Sequence, residues 1–134
     1  MERDAILAAV RACLSKDRED VLAAYVFGSV GRGASSATSD VDVGVLLAGG
    51  RPRTLEELPL DLQERLERRL DRKVDLVVLD GAPPDLLHRV LRDCVLVLER
   101  DRAARIEFEI QARNAYFDLK PILDRYRRAA LESA

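Results

Sequence analysis

The chain has 134 residues, of which 48% are hydrophobic, and this predicts one domain over residues 1–134 with a substantial core. It carries 22 Lys and Arg against 24 Asp and Glu, and a net charge of -2 gives no general attraction to nucleic acid or to a membrane surface. No apolar run reaches the ~20 residues of a membrane span, and the N-terminus predicts a helix rather than a signal peptide. Two distant cysteines without a ligand pattern fit a reducing, cytoplasmic location.

The first half of the chain predicts a helix and two strands. Apolar residues at helical spacing predict a helix over 2–14, and the run "VLAAYVF" predicts a strand over 21–27. Residues 28–39 are small and polar and predict a loop, whose beginning can form one helical turn capped by Ser29. A second strand is predicted over 40–47.

The second half alternates helices with strands. Residues 54–57 resemble a capping box, but Pro59 is expected to interrupt that helix. The further predicted elements are a helix through Leu62, Leu66 and Leu70, a strand over 73–79, a helix over 85–92, a strand over 94–98, and a helical segment over 101–131 with a kink or break at Pro121. This order predicts an α/β or α+β fold, in which one small mixed sheet of about four strands is flanked by helices.

Two aspartates interrupt the second strand, in the stretch "YVFGSVGRGASSATSDVDVGVLL". Strand side chains alternate between faces, so Asp40 and Asp42 are expected on one face with Cα atoms about 6.5–7 Å apart. Two carboxylates that close need a cation between them, and Mg²⁺ takes one or two carboxylates together with phosphate oxygens. A pair of such ions can clamp the attacking and leaving oxygens of a phosphoryl or nucleotidyl transfer. The alternative is an edge strand with one wet face.

The loop before these aspartates favours a phosphate site. Gly28 follows the first strand directly, and small residues there let backbone N–H groups approach a phosphate, while Ser29 adds a hydroxyl and Arg32 a cation. The loop matches neither the P-loop nor the dinucleotide-binding pattern of glycines. Asp75, inside the third strand, is predicted as a further metal ligand or general base if the sheet brings it beside Asp40 and Asp42.

These residues resemble the polymerase-β-like nucleotidyltransferase superfamily, and within it the minimal nucleotidyltransferase (MNT) domain proteins. The resemblance rests on Gly28-Ser29, then ten residues, then Asp40-x-Asp42, with Asp75 on a later strand. It covers nearly the whole chain. The tail "ARNAYFDLKPILDRYRR" is similar to the C-terminal helix of MntA-type antitoxins, which are encoded beside HEPN-domain toxins.

The resemblance implies a site and a reaction. Asp40, Asp42 and Asp75 would hold two Mg²⁺ ions against ATP, Gly28 and Ser29 would bind its phosphates, and Asp75 would help to deprotonate the acceptor. AMP transfer to a tyrosine of a HEPN toxin would make the protein the antitoxin of a type VII-like pair. No membrane contact and no direct nucleic-acid binding are expected. The alternatives are an antitoxin that acts by docking alone, and a nucleotidyltransferase that modifies a small molecule such as an antibiotic.

The last helix allows two interpretations. It is apolar on more than one side, with Phe108 and Ala112 on one and Ile106, Ile110 and Phe117 on another. It could close the core, or it could form a docking surface for a partner toxin or a second copy.

His88, the one histidine, is expected to be partly buried or at the surface rather than catalytic, and Tyr25 is expected in the core.

Overall fold

The structure, a computed structural model, describes residues 2–34, 39–54 and 59–132. Its elements, in chain order, are α1 (Arg3–Asp17), β1 (Val21–Phe27), α2 (Gly28–Arg32), β2 (Val41–Leu47), α3 (Leu60–Leu70), β3 (Val74–Val78), α4 (Pro84–Arg92), β4 (Val95–Glu99) and α5 (Arg102–Glu132). Each predicted helix and strand is confirmed within a few residues, and the optional helical turn after β1 is α2. The predicted cap at Ser29 is wrong, because α2 begins at Gly28 and its N-cap residue is Phe27, with no side-chain cap hydrogen bond. The predicted capping box covers residues 54–57, of which 55–57 lie outside the described part of the chain.

The four strands form one mixed sheet in the order β3-β2-β1-β4. β1 is antiparallel to β2 and to β4, whereas β2 and β3 are parallel. The end of β1 therefore lies beside the start of β2, and the start of β2 lies beside the start of β3. Three chain segments thus meet at one corner of the sheet.

Helices cover both faces of the sheet, and the alternation of β2 decides which residues each face receives. Val41, Val43 and Val45 face a core shared with α1 and α3. On the opposite face Leu46 belongs to a second core beneath α4 and α5, which also contains Ala23, Tyr25, Leu79, Leu87, Val90 and Ala112. Asp42 and Gly44 occupy the same face of β2 as Leu46.

Of the predicted kink or break at Pro121, the break is wrong, because α5 runs through this proline without interruption. A proline removes one backbone donor and leaves the carbonyl of Phe117 without its helical partner. Phe117 is 58% exposed, and Pro121 is also exposed, so water can satisfy that carbonyl.

No helix in the described residues combines the length and the apolar character that crossing a membrane requires.

A hydrogen bond from the buried Tyr25 connects β1 of the sheet to α5. The Tyr25 hydroxyl donates to Glu109 Oε1 at 3.1 Å, and Arg105 Nη1 donates to Glu109 Oε2 at 2.7 Å. Burial and the neighbouring Glu109 carboxylate raise the pKa of Tyr25 far above its usual range, so the hydroxyl stays protonated and donates. The expected core position of Tyr25 is confirmed.

Replacing Tyr25 by Phe should lower the free energy of unfolding by about 1–2 kcal/mol, because Glu109 loses a buried donor. Urea denaturation would measure it. The matched control is Tyr126→Phe, since Tyr126 is 73% exposed. Equal stability of the two variants would contradict a fastening role for the Tyr25 hydroxyl.

Candidate active site

Asp42 lies at the corner where β1, β2 and β3 meet. It pairs across the sheet with Phe27, the last residue of β1, and with Asp75 in β3. Register partners on adjacent strands have Cα atoms about 5 Å apart, so Asp42 and Asp75 stand side by side. Asp75 is exposed and Asp42 is half-buried. The sheet therefore brings together two carboxylates that are 33 residues apart in sequence.

The charges at this corner are coupled. Burial raises the pKa of Asp42, and the nearby carboxylates of Asp75 and Asp40 raise it further, while Arg32 acts in the opposite direction. Three of the other five predicted site residues thus act electrostatically on Asp42.

Gly28 gives the loop after β1 its close approach to Asp42. A Cβ at Gly28 would stand 2.1 Å from Asp42 Oδ2, and the residue has φ +65°, which L side chains rarely adopt. Only glycine lets the backbone turn here against the carboxylate. Ser29, the next residue, is half-buried in the first turn of α2.

Backbone contacts hold Asp40 directly before β2. Arg72, from the turn before β3, donates through Nε to the carbonyl oxygen of Ser39 at 3.1 Å. The N–H of Val41 donates to the carbonyl oxygen of Lys73 at 3.0 Å. The residues on both sides of Asp40 are therefore tied to the segment that leads into Asp75.

Two further residues position α2, and the sequence pattern gave no signal for either of them. Arg3 of α1 donates to the carbonyl oxygens of Val30 and Gly31 at 3.0 and 2.9 Å, which satisfies the end of α2. Gly31 is packed so closely that an added Cβ would lie 2.7 Å from the carbonyl oxygen of Asp93. The position of α2 thus depends on its contacts with α1 and with Asp93, the residue after α4.

The donor set suits a hard divalent cation, because Asp40, Asp42 and Asp75 offer only carboxylate oxygens. Nowhere in residues 2–34, 39–54 and 59–132 are three His, Cys, Asp or Glu side chains arranged so as to enclose a metal ion. Mg²⁺ needs only one or two protein carboxylates when substrate phosphates complete its coordination shell. The open corner of the sheet at Asp42 therefore suits Mg²⁺ bound together with a triphosphate.

Comparison with known proteins agrees with the nucleotidyltransferase resemblance of the sequence. Residues 10–103 match the model of the polymerase beta nucleotidyltransferase family. A solved minimal nucleotidyltransferase is 35% identical, with a TM-score of 0.58, over 71% of this chain and 95% of its own. No curated protein matches the chain significantly.

Two solved toxin–antitoxin complexes extend the likeness to α5. A chain of a complex with AMP-PNP is 22% identical, with a TM-score of 0.72, over 95% of this chain and 96% of its own. A chain of the complex between an MNT antitoxin and a tri-AMPylated HEPN toxin of Shewanella oneidensis is 20% identical, with a TM-score of 0.67, over 98% and 97%. At these identities the likeness establishes the fold.

Proposed function

The chain belongs to the polymerase beta nucleotidyltransferase family, and we propose that it transfers AMP from ATP to a tyrosine hydroxyl of a cognate HEPN toxin, as that toxin's antitoxin. One observation carries the proposal: the Asp42 carboxylate touches the loop at Gly28 on one side and stands beside Asp75 on the other. A triphosphate bound at the loop would meet both carboxylates. The tri-AMPylated toxin in the similar complex supports repeated transfer.

The reaction follows from the chemistry of these groups. The acceptor oxygen attacks the α-phosphorus of ATP and forms a new P–O bond. The bond from that phosphorus to its bridging oxygen breaks, and pyrophosphate leaves with the electron pair. Asp75, which is exposed and stands beside Asp42, accepts the hydroxyl proton. The backbone at Gly28, with the Ser29 hydroxyl and Arg32, binds the β- and γ-phosphates. Mg²⁺ held by Asp40, Asp42 and Asp75 would neutralise the phosphate charge.

The exposed side of α5 supports a protein acceptor. Ile106, Ile110 and Phe117 are 38%, 48% and 58% exposed, whereas Phe108 and Ala112 pack against the sheet. Apolar side chains left in water on one side of a helix are typical of a surface that another protein covers. We propose that the toxin docks on this side of α5.

Intact mass spectrometry would test the function. The HEPN protein encoded beside this gene is incubated with the wild-type chain, ATP and Mg²⁺, and in parallel with the Asp40→Ala/Asp42→Ala variant. We expect its mass to rise by whole AMP units with the wild type alone. An unchanged mass, with the toxin still inhibited, would contradict the transferase and favour an antitoxin that acts by docking. Turnover of small hydroxyl compounds without the toxin would favour a small-molecule enzyme.

A further inference from the structure

A groove with an aromatic wall runs between α4 and α5. The rings of His88 and Tyr116 are stacked, with centroids 3.7 Å apart and planes 4° from parallel. Both rings line each of two adjoining hollows, of about 370 and 440 Å³. Binding sites for small molecules begin at about this size. We call this feature the aromatic groove and define it by His88, Arg92, Arg113 and Tyr116.

The aromatic groove is rich in cations. Arg92 lines both hollows and Arg113 lines the first, while Arg89 and Arg127 line the second. Two acids face these four arginines: Asp85 lines the second hollow and Glu109 the first, where both Glu109 oxygens accept hydrogen bonds from Tyr25 and Arg105. Arg92 also donates through Nε to Asp93 Oδ2 at 2.9 Å. Arginine beside an aromatic face is the combination that binds a nucleotide, because the base stacks and the phosphate pairs with the guanidinium.

The aromatic groove also lies close to the candidate active site. α4 ends at Arg92, and the carbonyl oxygen of the next residue, Asp93, lies against Gly31 of α2. Gly28, one helical turn before Gly31, touches Asp42. Adding these backbone steps gives an upper limit of about 20 Å between the Cα atom of Arg92 and the carboxylate of Asp42. The helices that form the groove cover the sheet face that carries Asp42.

We propose that the aromatic groove binds the adenylate already attached to the acceptor while the next AMP is transferred. This inference rests on the proposed function and its repeated transfer. The adenine stacks on the His88–Tyr116 pair, and the phosphodiester pairs with Arg92 or Arg113. A hydroxyl of the adenylylated acceptor then attacks the α-phosphorus of a fresh ATP, pyrophosphate leaves, and Asp75 takes the proton as in the first transfer. The first transfer needs no adenylate in the groove.

A time course of intact masses would separate the first transfer from later ones. For Arg92→Ala and Tyr116→Leu we expect the first AMP to be added at nearly the wild-type rate, with an unchanged KM for ATP. Later additions should slow by about ten-fold or more, since losing one stacked base costs about 1–3 kcal/mol. Arg11→Ala, an exposed arginine on α1 outside the aromatic groove, is the control.

Two results of this time course would overturn the proposal. One is an unchanged distribution of AMP units, which would mean that the groove has no part in later transfers. The other is impaired first transfer. A raised KM for ATP would then assign the groove to the incoming nucleotide, and an unchanged one would assign it to the unmodified acceptor.

A second measurement does not depend on transfer at all. His88 is the one histidine of the chain, so its imidazole Hε1 proton gives one unambiguous NMR signal to follow during a titration with AMP. We expect AMP to shift this signal in the wild type, and Tyr116→Leu to weaken the binding by about ten-fold. An unmoved His88 signal at saturating AMP would overturn the proposal, even if the toxin is modified. Absence of transfer by the wild type, with the shift intact, would contradict the proposed function instead.

Discussion

Asp42→Asn is expected to abolish AMP transfer and, at neutral pH, to make the fold more stable than the wild type. The carboxylate is half-buried, and it lies near Asp75 and Asp40, all of which disfavour its charge. Removing that charge removes the repulsion, but it also replaces one of the two carboxylate oxygens that would hold Mg²⁺ by an amide nitrogen. Partial exposure screens the effect, so we expect a gain of about 0.5–1 kcal/mol, or a melting temperature about 2–4 °C higher.

The pH dependence of this gain has a definite sign. The folded state raises the pKa of Asp42 above its usual 3.8, so the native protein binds the proton more tightly than the unfolded chain. Below the pKa that Asp42 has in the unfolded chain, the residue is protonated in both states and does not lower the free energy of unfolding. As the pH rises from that value through the pKa of Asp42 in the folded state, the native wild type loses stability. The advantage of Asp42→Asn should therefore be complete at neutral pH and should vanish below about pH 3.8.

Thermal melts at several pH values, with and without Mg²⁺, would measure this prediction. Mg²⁺ should raise the melting temperature of the wild type more than that of Asp42→Asn, because binding to the native state stabilises it. Glu64→Gln, which removes an exposed carboxylate on α3, is the matched control. An Asp42→Asn protein that is less stable than wild type at neutral pH would contradict the electrostatic account, and full transfer activity would contradict the catalytic one.

Gly28→Ala is expected to lower transfer at least about 100-fold, even though it adds only one methyl group. The new Cβ would stand 2.1 Å from Asp42 Oδ2, so the carboxylate or the loop must move. Displacement of a reacting group by about 1 Å can cost this much in rate. The left-handed φ of +65° adds a stability cost of about 1–2 kcal/mol for a residue with a Cβ.

Gly33→Ala provides the control that separates strain from position. Gly33 also has a left-handed φ, of +74°, but a Cβ there would meet nothing closer than Arg3 Nε at 3.7 Å. Both variants should lose stability in urea denaturation because of the left-handed φ, and Gly28→Ala should lose more because of its contact with Asp42. Only Gly28→Ala should lose transfer at a temperature where both are folded. An equal loss of activity in the two would show that loop strain, rather than the position of Asp42, limits the reaction.

The spacing of residues along the chain was enough to predict the elements and the chemistry of the candidate site. Apolar periodicity located the helices and strands, because a helix must bury one side and a strand must alternate. The pattern of Gly28, Ser29, Asp40 and Asp42 also indicated a metal–nucleotide site, since two carboxylates on a buried strand repel each other unless a cation lies between them.

Which distant residues meet depended on the tertiary structure. The parallel register of β2 and β3 pairs Asp42 with Asp75, and a shift by one residue would have turned Asp75 to the other face. The packing of α4 against α5 stacks His88 on Tyr116, although the sequence pattern gave that histidine no role. Arg3 and Arg72 hold the loop and the start of β2 through backbone carbonyls, which every residue has and no pattern can reveal. Local spacing sets the elements, whereas contacts between residues far apart in sequence depend on strand order and helix packing.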